Sequence, residues 1–368
     1  MRWLLEILLQ YDIIKYYQKR GDSLKKAAIG LSGGVDSAVA AYLLKQQGYD
    51  VTGVILRLKP DSMADADISD AQRIADKLGI ELRILDRREI FEQKVISPFI
   101  SEYLGGRTPN PCIECNREIK FGVMLDYALE IGCDCIATGH YAKIEECEGR
   151  YLLKRSESSK DQSYFLFRLT QEQLSKTVFP LEGLSKDEIR EIALKAELPV
   201  AQKGDSQEIC FVPNDDYISF LASRKIISPK GNFVDKSGAV LGTHNGIINY
   251  TVGQRKGLGA FGKPMFVNSI NADKNTVVIG ENGTQYCKGL IADRLNFIAF
   301  DSLTEPLRAE VKIRFRAKEQ PALITPLEGG RIQIIFDEPQ RSITPGQSAV
   351  IYDGNTIIGG GRIIEQID

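Results

Sequence analysis

The sequence has almost no excess of charge of either sign. Its 47 lysines and arginines are balanced by 49 aspartates and glutamates, which leaves a formal net charge of −2 over 368 residues. This balance argues against a histone-like protein that binds nucleic acid through bulk charge, although a local basic face would suffice for RNA. A chain of this length exceeds one ordinary hydrophobic core, so we expect two or three domains.

The sequence also lacks the features of a disulfide scaffold and of a membrane span. Seven cysteines, an odd number in a chain of this size, predict a reducing, cytoplasmic compartment where each cysteine is a core residue, a metal ligand or a reactive thiol. The apolar segment 1–21 is interrupted by Glu6, Gln10 and Asp12, and it is too short and too polar to cross a bilayer. We expect an added helix packed on the next domain; a start codon upstream of the true one is the alternative.

Two patterns divide the rest of the chain. From Lys25 to about Ala142, β-like and helical runs alternate, which predicts a parallel sheet covered on both faces. Glu188 follows Ser185 at the spacing of a capping box and predicts a small helix. From about Pro264 onward, short β-like runs and turns predict an antiparallel barrel or sandwich. The predicted domains are an extension over 1–22, a catalytic domain over 23–170, a small central domain over 171–263 and a β-barrel over 264–368.

A glycine-rich loop follows the first predicted strand, Lys25–Leu31. It reads Ser-Gly-Gly-Val-Asp-Ser and leads into a helix. Its glycines let the backbone approach an anion, and the N–H groups of the loop and helix N-terminus point at that anion. The loop has neither the Gly-Lys-Ser/Thr of a Walker A loop nor the Gly-x-Gly-x-x-Gly of a dinucleotide fingerprint. A plain turn is the simpler alternative, but it would not need the polar side chains of Ser32, Asp36 and Ser37.

This hexapeptide resembles the signature of the ATP pyrophosphatases, which split ATP into AMP and pyrophosphate. The resemblance implies an adenine nucleotide α-hydrolase-like parallel sheet, with ATP over the carboxyl ends of the strands. Asp36 is expected to hold Mg²⁺ on the pyrophosphate, since hard cations prefer carboxylate oxygens. The expected ATP-binding residues are Gly30, Leu31, Ser32, Gly33, Gly34, Val35, Asp36, Ser37, Leu56 and Gly139.

Further motifs, spread over most of the chain, resemble those of the tRNA-specific 2-thiouridylases. Gly106–Asn116 and Asp205–Phe211 resemble the two cysteine motifs of that family. The resemblance implies ATP-dependent 2-thiolation of the wobble uridine of tRNA, by adenylation of the C2 oxygen and then sulfur transfer. The other matching blocks are Ala137–Tyr141, Ser159–Tyr164, Tyr250–Arg255 and Thr344–Ala349.

The same resemblance implies a role for two of the seven cysteines. Cys115 is expected to be the nucleophile and Cys210 the persulfide carrier, and thiolate is the working form of both. Their reaction leaves a disulfide bond, so the partners include a reductant and a persulfide sulfur-donor protein or sulfide source. The remaining cysteines outside the motifs are interpreted as buried small residues (Cys133, Cys135, Cys287) or as incidental (Cys147).

Cys112 stands where many members of the family have an acidic residue. With Cys115 and Cys210 it gives three thiolates, which can hold a [4Fe–4S] cluster and leave one iron open for sulfide. Zinc is a further alternative, but it usually takes a fourth ligand and would tie up the nucleophile. The persulfide scheme, the cluster and zinc all remain open.

Four cationic residues alternate with apolar residues in the C-terminal part of the chain: Lys312, Arg314, Arg316 and Lys318. In a strand, the positions 312, 314, 316 and 318 would share one face. RNA phosphate is the natural counter-ion of such a face, and a solvated surface is the simpler alternative. His244 fits either a structural or a functional role. The residues that the resemblance assigns to the target base or tRNA are Asn110, Pro111, Cys112, His140, Lys160, Asp161, Gln162, Arg314, Phe315 and Gln347.

Two other functions fit parts of the sequence. One is a different adenylating enzyme, such as an argininosuccinate-synthase-like or amidotransferase ligase, which acts on a small molecule and has no need of the two cysteine motifs. The other is a non-catalytic RNA-binding protein with a nucleotide-sensing domain, for which an intact phosphate loop is unexpected.

Overall fold

A computed structural model describes residues 24–59, 61–204 and 209–368. The helix predicted over segment 1–21 lies outside these residues. They form two units, one within Met1–Phe91 and Cys115–Ser206, the other within Glu92–Glu114 and Gln207–Asp368. None of the helices in the described ranges is both long enough and apolar enough to cross a membrane.

A five-stranded parallel sheet organises the first unit. Its strands are β1 (Lys26–Gly30), β2 (Asp50–Arg57), β3 (Glu81–Asp86), β4 (Cys135–Ala137) and β7 (Thr177–Val178). The antiparallel hairpin of β5 (Ala142–Cys147) and β6 (Arg150–Arg155) is not part of this parallel sheet. The strand order is β3-β2-β1-β4-β7 and every pairing is parallel. The predicted parallel α/β fold is therefore confirmed.

Helices of the first unit alternate with these strands. The α-helices are α1 (Val35–Gln46), α2 (Asp61–Leu78), α3 (Arg88–Phe91), α6 (Met124–Glu130), α7 (Gln171–Ser175) and α8 (Lys186–Lys195), with a π-helix at Cys115–Val123 and a 3₁₀ turn at Ser163–Leu166. Ala27, Ala28 and Ile29 of β1 are fully buried, as expected of a central strand of a parallel sheet. The predicted capping box of α8 is present, because Ser185 and Glu188 each accept a backbone N–H of the other.

The sequence pattern over Arg117–Ile131 predicts one long helix, and this prediction is wrong in its first half. The structure has a nine-residue π-helix there, which α6 continues. The side-chain amide of Gln173 donates to the backbone carbonyl of Arg117 at 3.1 Å. In a regular α-helix that carbonyl would accept the backbone N–H four residues further on. A periodic apolar pattern does not reveal such a contact, and π-turns of this kind are frequent at functional sites.

The second unit contains a closed barrel. Its strands are β12 (Tyr286–Phe297), β13 (Leu307–Lys312), β14 (Gln320–Leu327), β15 (Arg331–Arg341), β16 (Ser348–Asp353) and β17 (Thr356–Ile367). All pairings are antiparallel in the order β12-β15-β14-β13-β16-β17, and β12 also pairs with β17. Ile324, Ile334 and Ile351 are among the fully buried side chains inside it. The barrel predicted for the C-terminal part is therefore confirmed.

A four-stranded sheet and short helices complete the second unit. The sheet has the order β10-β11-β8-β9, from strands β8 (Gly231–Val234), β9 (Val240–His244), β10 (Met265–Asn271) and β11 (Thr276–Glu281). The α-helices are α4 (Ser97–Leu104), α5 (Pro111–Glu114) and α9 (Tyr217–Ser223); a π-helix covers Glu92–Ile96 and 3₁₀ turns cover Pro213–Asp215 and Ile247–Asn249.

The predicted basic strand over 311–318 is wrong beyond Lys312, where β13 ends and a turn begins. Lys312 pairs with Glu319 across this turn at 3.3 Å, and both side chains are largely buried. Arg314 donates to the backbone carbonyl of Arg341 at 3.1 Å. The alternating cations therefore do not form one strand face. Lys312 is in an ion pair at the end of β13, whereas Arg314 lies in the turn that follows and contacts the backbone.

Candidate active site

The order of the parallel sheet fixes where a ligand can bind. In the first unit β1 lies between β2 and β4, so the connections leave in opposite directions at the carboxyl ends of β1 and β4. Open α/β sheets bind ligands in the crevice at such a point. Two sequence motifs meet there: the loop after β1 and the Thr138-Gly139-His140 segment after β4. A Cβ on Gly139 would stand 2.8 Å from the backbone nitrogen of Ser37, so only glycine fits.

The glycine-rich loop is held by its own serines. The Ser37 hydroxyl donates to the Gly34 carbonyl at 3.0 Å and accepts the Ser32 N–H at 3.2 Å. Gly33 has φ of +72°, and a Cβ there would lie 2.8 Å from the carbonyl oxygen of Asp67. The loop is thus fixed from within and from α2 before any ligand binds. This geometry suits an anion bound by backbone N–H groups.

Asp36 lies in the first turn of α1 and has two partners. Its Oδ1 accepts a hydrogen bond from the Tyr141 hydroxyl at 2.8 Å and lies 2.6 Å from Nζ of Lys186. Lys186 is 13% exposed and Asp36 33%. The sequence motifs include Asp36 and Tyr141 but not Lys186, which lies 150 positions from Asp36 and belongs to no recognised motif.

A second lysine contacts the loop itself. Lys203 donates to the Gly33 carbonyl at 3.1 Å and to Asp70 at 2.7 Å, and it lies 3.7 Å from Asp67. The hydrogen bond from Lys203 is the main cause that lowers the pKa of Asp70. Lys203 therefore ties the loop to α2, and no sequence motif had pointed to this residue either.

His140 follows Gly139 and is packed between aromatic rings. Its centroid lies 5.7 Å from that of Phe121 and 6.2 Å from that of Phe179, and Nδ1 is 2.8 Å from the Thr138 hydroxyl. Desolvation, followed by the charge of Lys120, holds the pKa of His140 well below 6.5. The imidazole is therefore neutral at physiological pH.

Asp161 and Gln162 shape the segment beside His140. Asp161 accepts the N–H groups of Ser156 and Ser163, at 3.0 and 3.2 Å, and so closes its own loop. Gln162 pairs with Tyr141, accepting its N–H at 3.1 Å and donating a backbone N–H to its carbonyl at 2.8 Å. The side chain of Lys160 is exposed. Asp161 and Gln162, which the sequence predicted as RNA contacts, thus also hold the local structure of this segment.

The seven cysteines differ in burial. Cys115 begins the π-helix and is 8% exposed, whereas Cys112 and Cys210 are exposed. Cys133 and Cys135 are buried, as predicted, and desolvation raises the pKa of both. Cys287 is buried too, and desolvation with the charge of Asp368 raises its pKa to about 11. Cys147 is exposed at the end of β5.

Predicted residues of the second unit converge on one loop of the barrel. Gln347 donates to the Thr108 carbonyl at 2.8 Å, and Thr108 donates its N–H to the Pro345 carbonyl at 2.9 Å. Asn110 accepts the N–H of Cys112 at 3.2 Å at the start of α5, and Pro111 is buried. Two motifs far apart in sequence are thus brought together. His244 is structural: it is buried, and Nδ1 accepts the N–H of Gly246 at 3.0 Å.

The side chains of the described ranges offer no ready-made metal centre. Within those ranges, no three or more His, Cys, Asp or Glu side chains are grouped so as to hold a metal ion. Asp36 fits Mg²⁺ as a single carboxylate, the usual protein share of a site completed by phosphates and water.

Comparison with known proteins decides the family. The tRNA-specific 2-thiouridylase MnmA of Clostridioides difficile (strain 630) is 53% identical over 354 residues, covering 92% of this chain and 98% of that protein. MnmA of Clostridium botulinum (strain Alaska E43 / Type E3) is 51% identical over 356 residues, covering 93% and 98%. The chain belongs to the tRNA-specific 2-thiouridylase family. The resemblance drawn from the sequence motifs is confirmed.

Three family models match consecutive parts of this 2-thiouridylase family member. They are described as a tRNA methyl transferase HUP domain over 25–214, a tRNA methyl transferase PRC-barrel domain over 218–281 and an aminomethyltransferase beta-barrel domain over 287–363. Among solved structures, the U34-tRNA thiolase NcsA from Methanococcus maripaludis with its [4Fe-4S] cluster overlaps at a TM-score of 0.35 with 22% identity, over 54% of this chain and 66% of that one. A structural similarity this low supports no conclusion about the site.

Proposed function

We propose that the chain catalyses ATP-dependent 2-thiolation of the wobble uridine of tRNA, in the cytoplasm. The observation that carries this proposal is whole-length similarity: relatives named tRNA-specific 2-thiouridylase are 53% and 51% identical over more than nine-tenths of the chain. The fixed anion-binding loop at the switch point of the sheet supports the ATP-dependent part. We retain the three-domain division with boundaries near 170 and 263 as part of this proposal.

The first step activates the base. The C2 oxygen of uridine attacks the α-phosphorus of ATP, a P–O bond forms, and pyrophosphate leaves. The N–H groups of Gly33–Ser37 would bind the phosphates, and Gly30 and Gly139 leave room for the nucleotide. Leu56, in β2 beside the loop, would contact adenosine. Mg²⁺, when bound through Asp36, would neutralise charge on the departing pyrophosphate.

The second step transfers sulfur. The terminal sulfur of a Cys210 persulfide attacks C2, and the Cys115 thiolate attacks Sγ of Cys210 and breaks the S–S bond. The sulfur stays on C2 as AMP leaves with the former oxygen, and a Cys115–Cys210 disulfide remains. An external thiol reductant must then restore both thiols, and a sulfur donor must reload Cys210.

Contacts with tRNA form the third part of the proposal. A neutral His140 suits hydrogen bonding to an uncharged base, with Asn110, Pro111 and Cys112 bordering the same nucleotide. Lys160, Arg314 and Phe315 would bind the tRNA directly. Asp161, Gln162 and Gln347 already hold backbone groups, so we assign them to shaping the contact segments as well as to touching tRNA.

A reconstitution experiment tests the reaction. Purified full-length protein is incubated with ATP, Mg²⁺, a uridine-34 tRNA transcript, a persulfide donor and a thiol reductant, and the nucleosides are analysed by mass spectrometry. We expect 2-thiouridine from the wild type and from Cys147→Ser, the matched control with an exposed cysteine outside the motifs. Cys115→Ser and Cys210→Ser should form none. Normal 2-thiouridine in tRNA from a deletion strain with no redundant enzyme would refute the proposal.

Methyl transfer is the second candidate, because two matching family models are described by that reaction. The same mass analysis separates the two, since replacement of oxygen by sulfur and addition of a methyl group give nucleosides of different mass. Product that depends on a methyl donor and not on ATP would favour this candidate.

A further inference from the structure

The position of Lys186 is not explained by the stability of its helix. It is the first residue of α8, directly after the Ser185 cap. A cation at a helix N-terminus faces the positive end of the helix dipole, which disfavours it. Its side chain is also 13% exposed, so a flexible, charged group has been ordered and largely desolvated.

The Asp36 side chain has favourable contacts besides the one with Lys186. Asp36 lies in the first turn of α1, where the helix dipole favours a carboxylate, and it accepts the Tyr141 hydroxyl as well. Withdrawal of the Lys186 ammonium would therefore leave Asp36 with two stabilising interactions.

The second lysine at the loop is bound differently. Lys203 is held by Asp70 and the Gly33 carbonyl, with Asp67 close by, so its charge is matched within the framework of the loop and α2. Lys186 instead contacts the carboxylate of Asp36, two positions after Gly34 of the anion-binding loop. Of the two lysines, Lys186 is therefore the one whose ammonium could move from its carboxylate partner to a phosphate bound at the loop.

We propose that Lys186 is a phosphate-binding residue: its ammonium is held against Asp36 and turns to the β- and γ-phosphates when ATP binds. It stays with the pyrophosphate as the P–O bond to AMP breaks, and it leaves Asp36 Oδ1 available to a hard cation. This inference deepens the proposed function and rests on it.

Calorimetric titration of the full-length protein tests this role. Inorganic pyrophosphate, a non-hydrolysable ATP analogue and AMP are each titrated into the wild type, Lys186→Met and Lys195→Met. Lys195 is the matched control, because it lies in the last turn of the same helix and pairs with Glu191 at the surface. Loss of a charge-assisted hydrogen bond predicts that Lys186→Met binds pyrophosphate and the analogue about tenfold more weakly or worse, with AMP affinity within about twofold of wild type.

Unchanged pyrophosphate affinity in Lys186→Met, or an equal loss for AMP, would overturn the inference. Lys186→Arg, which keeps the charge, covers the case in which the methionine variant does not fold; it should retain pyrophosphate binding better than Lys186→Gln, and equal affinities of these two would also overturn it. The proposed function fails separately, if the wild type itself consumes no ATP in the presence of tRNA.

Discussion

At the scale of single residues, the two neighbouring glycines of the loop carry different constraints. Gly33 has a left-handed backbone, and an added Cβ would meet the Asp67 carbonyl, so Gly33→Ala should cost about 1–2 kcal/mol of unfolding free energy. Gly34 has φ of −102° and open space to 3.4 Å, so Gly34→Val should fold normally. Its side chain would instead block the phosphates and abolish ATP consumption. Thermal melting measures the stability of both variants, and an ATPase assay with tRNA measures their turnover. Normal ATP turnover by Gly34→Val would contradict the assignment of the loop to phosphate binding.

The neutral state of His140 makes stability depend on pH. Its pKa in the folded protein is well below 6.5, whereas the unfolded chain takes up the proton near 6.5. Its stabilising contribution is therefore complete above pH 6.5 and is lost as the pH falls from there toward the folded pKa, by up to about 1.4 kcal/mol per pH unit. Urea unfolding measured from about pH 8 to about pH 5 should show a shallower pH dependence for His140→Gln than for wild type. Identical curves for the two proteins would contradict this.

At the scale of elements, the turn after β13 replaces the predicted cationic strand and narrows the test of RNA binding. Arg314→Ala should weaken tRNA binding and reduce the log–log salt slope by about one for each phosphate that the variant no longer neutralises. Arg308→Ala is the control, since Arg308 in β13 is paired with Asp337 at 2.7 Å. Filter binding over a salt series measures the affinity and the salt slope of both variants. An unchanged slope for Arg314→Ala would indicate that this turn is an ordinary solvated surface and does not bind RNA.

The helices and strands also show which parts of the fold could be predicted from the sequence. Local signals were sufficient for the phosphate loop, for the capping box at Ser185 and for the barrel strands, because each is encoded by nearby residues. The π-helix and the end of β13 were not predicted. Gln173 contacts the π-helix from 56 positions away, and Lys312 pairs with Glu319 across the turn that ends β13. Lys186 and Lys203 reach the loop from 150 and 170 positions away, and no local pattern marks a lysine for such a contact.

At the scale of the whole molecule, the source of the sulfur distinguishes the persulfide scheme from the cluster scheme. The persulfide scheme needs Cys115 and Cys210, so anaerobically purified protein should contain no stoichiometric iron, and Cys112→Ser should thiolate tRNA at near wild-type rate. Iron and sulfide analysis together with the thiolation assay check this. Iron bound at cluster stoichiometry in the wild type, and absent along with activity in Cys112→Ser, would overturn the persulfide scheme in favour of the cluster.

The closed barrel has a consequence for biosynthesis. β12 and β17 are neighbours although their first residues are 70 positions apart, from 286 to 356. A nascent chain therefore presents an open β12 edge until the last of the six strands has left the ribosome. Unpaired edges recruit other strands, so this interval is when the growing polypeptide is most exposed to misassembly and most in need of a chaperone.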